Sequence, residues 1–360
     1  MSFVSGSVDA PERAIRVSFI DAVRGLCLSW MVAAHALTLA AVPSGHWLQW
    51  LRPRGWATIG FVMLTGLATA MRYGRGGQAV APVRRRLFRR AAGILVIAIV
   101  SNVFFHVAES AVSGALSPER WLAILSFRMP WTISSILLSP VIVLAILPAL
   151  PRLVRRIGAG ATFALVTLAV LLFDYACTSA SGPGGATLLM RYNESVSAYF
   201  GFSLLTTVVL SVWAFALGTL RNAHPSVPIF KWCAVASVTV LIVRAWLPWP
   251  HALLVAAQFG TTCLMVRAIS SVGLFAPAVH VLRLLGRHSL LVFVLHRIVM
   301  HFLLFVSRDM RTAPLAMTLF GVTLSLSVGA CVLMHVRHVR WDQFRFWGNG
   351  EFGLAGAAAR

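Results

Sequence analysis

Residues 18–42 read SFIDAVRGLCLSWMVAAHALTLAAV, an apolar run interrupted by Asp21, Arg24 and His35. A hydrocarbon layer of about 30 Å needs roughly 20 residues of helix, so this run is long enough to cross one. Comparable runs recur at about 56–73, 91–109, 131–148, 160–177, 198–219, 232–247, 251–269, 288–307 and 315–336. Apolar residues make up 59% of the 360-residue chain and charged residues only 11%. A soluble domain carries about 25% charged residues, so the water-facing surface to wrap such a core is missing. The expected fold class is all-α, a polytopic integral membrane protein with about ten transmembrane helices. The first run is too long and too charged for a cleaved signal peptide, and is read as a retained helix.

Charge distribution sets the expected orientation. With the amino terminus in the cytoplasm, the inside segments hold 21 Lys/Arg and the outside loops 7. That asymmetry fits ten helices with both termini cytoplasmic, and an odd number of spans would break it. The expected domains are a cytoplasmic amino-terminal segment over 1–17, a transmembrane domain over 18–336 and a cytoplasmic tail over 337–360. The net charge of +21 is assigned to this orientation, not to nucleic acid, because no basic stripe is interleaved with stacking aromatics. The block Arg84-Arg85-Arg86-Leu-Phe-Arg89-Arg90 reads either as an anchor on anionic lipid or as a landing site for a polyanionic substrate. The loop over 178–197 is expected to be irregular. Trp47, Trp50, Trp56, Trp246 and Trp249 fit an interfacial belt better than a sugar platform.

Several chemistries are excluded. The five cysteines stand singly, without CxxC or Cys/His spacing, so no disulfide framework and no metal site are expected. There is no GxSxG, no P-loop around the single Lys231, no HExxH and no His-x4-Asp pair. A serine hydrolase, an NTPase and a zinc peptidase are therefore disfavoured.

The polar residues of the first helix form one stripe. Arg24 and His35 are eleven residues apart, close to three helical turns and roughly 16 Å along the axis. Asp21 is fourteen residues from His35, near four turns, and is an i,i+3 neighbour of Arg24 that can offset its charge. An Asp or Arg at a helix centre costs roughly 2.5–3.5 kcal/mol on the translocon scale, so such residues usually line a site or pathway. A structural seam and a proton relay are the alternatives.

Arg24-x10-His35 within Phe-Ile-Asp-Ala-Val-Arg-Gly-Leu resembles the first-helix signature of the acyltransferase-3 superfamily of membrane acyltransferases. The next helix, with Phe61-Val-Met-Leu-Thr65-Gly66, resembles that family's Phe-x-x-Leu-Ser-Gly segment, Thr65 standing for the usual Ser. A basic loop then leads into the third helix. Leu285-Gly-Arg-His-Ser289-Leu-Leu-Val-Phe-Val-Leu-His296 resembles its Leu-Gly-x-x-Ser-Leu-x-x-Tyr/Phe-x-x-His segment. The wording is nearest the periplasmic-glucan succinyltransferase (OpgC-like) branch, and heparan N-acetyltransferase-like families share much of it. The middle of the chain, about 110–280, carries no matching motif.

The resemblance implies a bacterial inner-membrane O-acyltransferase that moves a succinyl or acetyl group from cytosolic acyl-CoA to a hydroxyl of an extracytoplasmic glycan. Acyl-CoA is then a donor substrate, with no permanently bound cofactor, and the other partners are the lipid bilayer and a carbohydrate acceptor. Arg72, Arg75, Arg84, Arg85, Arg86, Arg89 and Arg90 would hold the CoA phosphates by charge-assisted hydrogen bonds. His35 is expected to take the proton of the acceptor hydroxyl, since a neutral imidazole is a suitable base near pH 7. Arg24 would pair with Asp21 or position the donor. Asn102, His106 and Glu109 share a face of the third helix and would bind a sugar hydroxyl, tune His35 or cap the outer end. Arg128 would contact the acceptor or serve as a loop cation. Ser289 would be a helix cap or a ligand contact, and one of His296 and Arg297 is expected to face the interior, with His296 the candidate. The rival class is a transporter or proton-coupled exporter gated by the Asp21/Arg24/His35 stripe. Such proteins often show two related halves, and no internal duplication is visible in this chain.

Overall fold

The computed structural model describes residues 9–43, 45–48, 56–73, 80–113, 117–129, 132–179, 204–224, 235, 239, 251–306 and 312–337. Among them every regular element is helical. The long helices are α1 (Asp9–Leu39), α2 (Trp56–Tyr73), α3 (Val80–Ser113), α5 (Thr132–Ile146), α7 (Ala159–Ser179), α8 (Leu204–Ala223), α9 (His251–Ser271), α11 (Ser289–Val306) and α12 (Ala313–Val336). Shorter helices are α4 (Pro118–Leu125), α6 (Leu150–Ile157) and α10 (Ala276–Arg287). Among the described residues six helices are long and apolar enough to cross a membrane, or up to seven if the bent pair α10/α11 is one span. Apart from residues 235 and 239, the expected span at 232–247 lies outside the described residues, as do the stretch over 180–197 and both chain ends.

The surface is that of a membrane protein. Val96, Val100 and Phe104 recur every four residues on the outer face of α3, and Phe302 and Phe305 of α11 and Leu326 and Leu333 of α12 are likewise exposed. Apolar faces of this extent are stable against hydrocarbon and would aggregate in water. The chain is therefore a multi-pass membrane protein. Trp47 is exposed beside His46, with ring centroids 5.9 Å apart. Trp50, Trp246 and Trp249, and the side chain of Trp56, lie outside the described residues.

Helix pairing relies on small residues, as it must where lipid competes equally well for apolar side chains. Gly25 of α1 lies against the backbone carbonyl of Leu282, and Gly286 of α10 against that of Asp21. A reciprocal glycine contact thus sets the crossing of α1 on α10. Gly66 of α2 lies in the same way against the carbonyl of Ser211 in α8. Further along that interface Asn222 Nδ2 donates to the Ala70 carbonyl at 2.8 Å.

Two segments differ from the sequence reading. The basic stretch before the third span is not a loop, since α3 starts at Val80 and carries Arg84–Arg90 as helix. Val83, Leu87 and Ala91 fall at i, i+4 and i+8 and are buried with Val143, Leu144 and Leu147, which gives this stretch an apolar stripe to pack. The segment before α11, expected on the cytoplasmic side, is also helical. A 3-10 turn, Gly273–Phe275, leads into amphipathic α10, and α10 meets α11 at 91° with the break at His288.

Candidate active site

The site is built where α11 meets α1. Because α1 is unbroken from Asp9 to Leu39, Asp21, Arg24 and His35 keep the spacing of one helical face. Arg24 Nη1 lies 3.6 Å from Asp21 Oδ1, and both side chains are largely buried. This pair sits at the level where Gly286 meets the Asp21 carbonyl, near the break between α10 and α11. His35 lies roughly 16 Å further along the axis.

After the break at His288, α11 brings His296 and Arg297 alongside His35. The rings of His35 and His296 stack with centroids 5.4 Å apart and planes 21° from parallel. Arg297 Nη1 donates to His35 Nδ1 at 3.1 Å. His296 and Arg297 are 1% and 7% exposed, so both face the interior, where the sequence reading placed one of them. His296 Nδ1 donates in turn to the Val292 carbonyl at 3.1 Å. Phe293 meets His296 edge-on at 5.7 Å, and Phe61 of α2 stacks on Phe293 at 6.0 Å. The three motif-bearing segments therefore converge, α2 buttressing α11 and α11 buttressing α1. Ser289 is the first residue of α11.

Arg297 was missed as a site residue by sequence reasoning. The available signal was its position within an apolar run, since an arginine there costs roughly 2.5–3.5 kcal/mol to insert and needs a partner. Nothing local pointed to His35, which is 262 residues away.

The α3 candidates are engaged elsewhere. Asn102 Nδ2 donates to the Ile124 carbonyl at 2.8 Å and to that of Met129 at 3.3 Å, and His106 Nε2 donates to Met129 at 2.8 Å. These two side chains latch the 117–129 segment, whose turn places Phe127 at φ 55°. Arg128 is exposed on that turn, and the Glu109 side chain lies outside the described residues. Leaving the buried Ile124 carbonyl without this donor costs about 1–3 kcal/mol. Asn102→Ala is accordingly expected to raise amide hydrogen exchange across 117–129 and leave exchange in α1 and α11 unchanged. Unaltered exchange in 117–129 would dismiss the latch.

One group of cationic residues gathers at one end of the bundle. Arg84, Arg85, Arg86, Arg89 and Arg90 are exposed on α3, opposite its buried stripe, and Arg72 is exposed above the Tyr73 ring at 5.6 Å. Leu150 and Val154 of α6 and Tyr73 of α2 pack on the same apolar cluster as Val83 and Leu87. This packing brings the exposed Arg152, Arg155 and Arg156 of α6 to that end as well. Arg75 lies outside the described residues. Cys27, Cys263 and Cys331 are free thiols, and no group of three or more His, Cys, Asp or Glu among the described residues could hold a metal ion.

Residues 15–152 match the family model described as OpgC protein. The matched stretch runs from α1 into α6, so it takes in Asp21, Arg24, His35, the basic helix and the Asn102/His106 latch, and stops well before His296 and Arg297. It supports an OpgC-like family for this part of the chain. No curated protein matches the chain.

Proposed function

We propose that the chain is an inner-membrane O-acyltransferase that moves a succinyl or acetyl group from cytosolic acyl-CoA to a hydroxyl of an extracytoplasmic glycan of the periplasmic-glucan kind. The observation that carries this reading is the convergence of His35 and His296, from opposite ends of the chain, within a stretch-to-stretch contact whose first partner lies in the OpgC-like match. In this reading ten spans cross the membrane with both termini in the cytoplasm. The arginine-rich end then faces the cytosol, where Arg72, Arg75 and the Arg84–Arg90 block meet the CoA phosphates. The thioester arm extends along α1 past the Asp21/Arg24 pair to the histidine pair, roughly 16 Å away. There an imidazole accepts the proton of the attacking hydroxyl, a contribution of about 10²–10⁴-fold in rate. Asn102 and His106 act on the acceptor side by holding the segment that presents Arg128, and Ser289 lies at the donor side of the pair.

The test uses purified full-length protein in lipid nanodiscs with succinyl-CoA or acetyl-CoA and a periplasmic glucan. Glucan-dependent release of free CoA thiol, with a matching ester on the glucan by mass spectrometry, is the expected outcome. Turnover of neither donor in the presence of glucan would sink the reading. Replacing Arg85, Arg86 and Arg89 by glutamine is expected to raise KM for acyl-CoA by tenfold or more and spare kcat. A charge-assisted contact is worth about 1.5–3 kcal/mol, and every 1.4 kcal/mol is tenfold in affinity. A lowered kcat at unchanged KM would remove these arginines from donor binding.

A further inference from the structure

The hydrogen bonds of the two histidines fix where their protons lie. A guanidinium carries five N–H donors and no acceptor. The contact from Arg297 Nη1 therefore makes His35 Nδ1 an acceptor, and the neutral ring must carry its proton on Nε2. A second proton has nowhere to go while this contact holds, because Nε2 is already protonated and Nδ1 faces an N–H. His296 is the opposite case. Its Nδ1 donates to the Val292 carbonyl, so its lone pair is on Nε2. That atom is buried and accepts from no group among the described residues. A buried acceptor without a donor costs about 1–3 kcal/mol and calls for an explanation. A substrate hydroxyl would supply the missing donor.

We infer that the stacked imidazoles divide the work: His296 Nε2 accepts the proton of the attacking hydroxyl, His35 Nε2–H donates to the thioester carbonyl oxygen, and Arg297 is the positioning residue that holds His35 in that tautomer. This assignment rests on the acyltransferase reading and moves the proton-accepting role from His35 to its neighbour. The hydroxyl oxygen bonds to the carbonyl carbon as its proton passes to His296. The carbonyl oxygen takes up the negative charge against the His35 N–H, as a preorganised donor does for an oxyanion. Collapse restores the C=O bond and breaks the C–S bond, and the departing thiolate takes the proton back from His296. The products are the glycan ester and free CoA, with both rings returned to their starting state.

Ring-¹⁵N histidine NMR of the full-length protein in lipid bilayers tests the assignment without turnover. The resonance lost in His35→Gln should report an Nε2–H tautomer and should change in Arg297→Met. The resonance lost in His296→Gln should report Nδ1–H. In the coupled assay of CoA release, His296→Gln is expected to lower kcat by about a hundredfold or more. His35→Gln keeps an amide N–H within reach of the Nε2 position, so its expected loss is smaller, about tenfold, as is that of Arg297→Met at unchanged KM for acyl-CoA. An Nδ1–H tautomer at His35 in the unmodified protein, or activity that survives His296→Gln and vanishes in His35→Gln, would overturn the division of labour. Absence of any transfer with both tautomers as expected would bring down the acyltransferase reading and the roles built on it, leaving the pairing alone.

Discussion

Replacing His35 by alanine is expected to lower acyl transfer by about 10²–10⁴-fold, with the protein still inserted and monodisperse in detergent. The size of the effect follows from what the side chain holds. Alanine removes the ring that stacks on His296 and the acceptor of the Arg297 hydrogen bond in one step. A positioned donor to a developing oxyanion is worth about 10²–10³ in kcat, and disorder of the neighbouring imidazole adds to it. The change also leaves a buried guanidinium without this acceptor, which costs about 1–3 kcal/mol. His35→Ala combined with Arg297→Met should regain that stability and stay inactive, an interaction that a double-mutant cycle measures directly. CoA release at the unmodified rate by His35→Ala would take the residue out of the reaction.

The second large effect is structural and lies at the glycine contact between α1 and α10. A Cβ at Gly25 would fall on the Leu282 carbonyl, and one at Gly286 on the Asp21 carbonyl. Both obstacles are backbone, so no rotamer change relieves them and the two helices must move apart. Ile20 and Val23 of α1 and Val279 of α10, buried in one cluster, would lose their packing together. Gly25→Val and Gly286→Val are therefore expected to destabilise at or beyond the upper end of the ~1–3 kcal/mol usual for overpacking. Thermal unfolding followed by fluorescence-detected size exclusion checks this. Gly93→Ala and Gly321→Ala, where a Cβ meets nothing within 4 Å, are the matched controls and should unfold like the parent. A Gly25→Val protein as stable as the controls would refute the close crossing. The two classes of variant also separate cleanly, since His35→Ala loses turnover and keeps its fold, whereas Gly25→Val loses both.

The first helix was legible in detail. Its polar stripe follows from counting residues at 3.6 per turn, and α1 is continuous through that stripe. The helical extension of α3 was also written in the chain, in the i, i+4, i+8 spacing of Val83, Leu87 and Ala91, but the density of arginine around it concealed the pattern. The latch formed by Asn102 and His106 could not be read in the same way. Their partners are backbone carbonyls of a later turn, and every residue type offers a carbonyl.

The sequence by itself determined that the chain lies in a membrane, which segments are apolar enough to do so, and that Asp21, Arg24, His35, His296 and Arg297 are polar groups needing partners there. Transfer free energy belongs to each segment and is summed residue by residue, so no neighbour has to be known. Only the tertiary structure decided that Arg297 serves His35, that both α11 residues face inward, and that the two imidazoles stack on each other. Those outcomes depend on how far each helix is turned about its axis and where it crosses the next. That rotation is set by close contacts between distant small residues, such as Gly25 with α10, which hydropathy does not register.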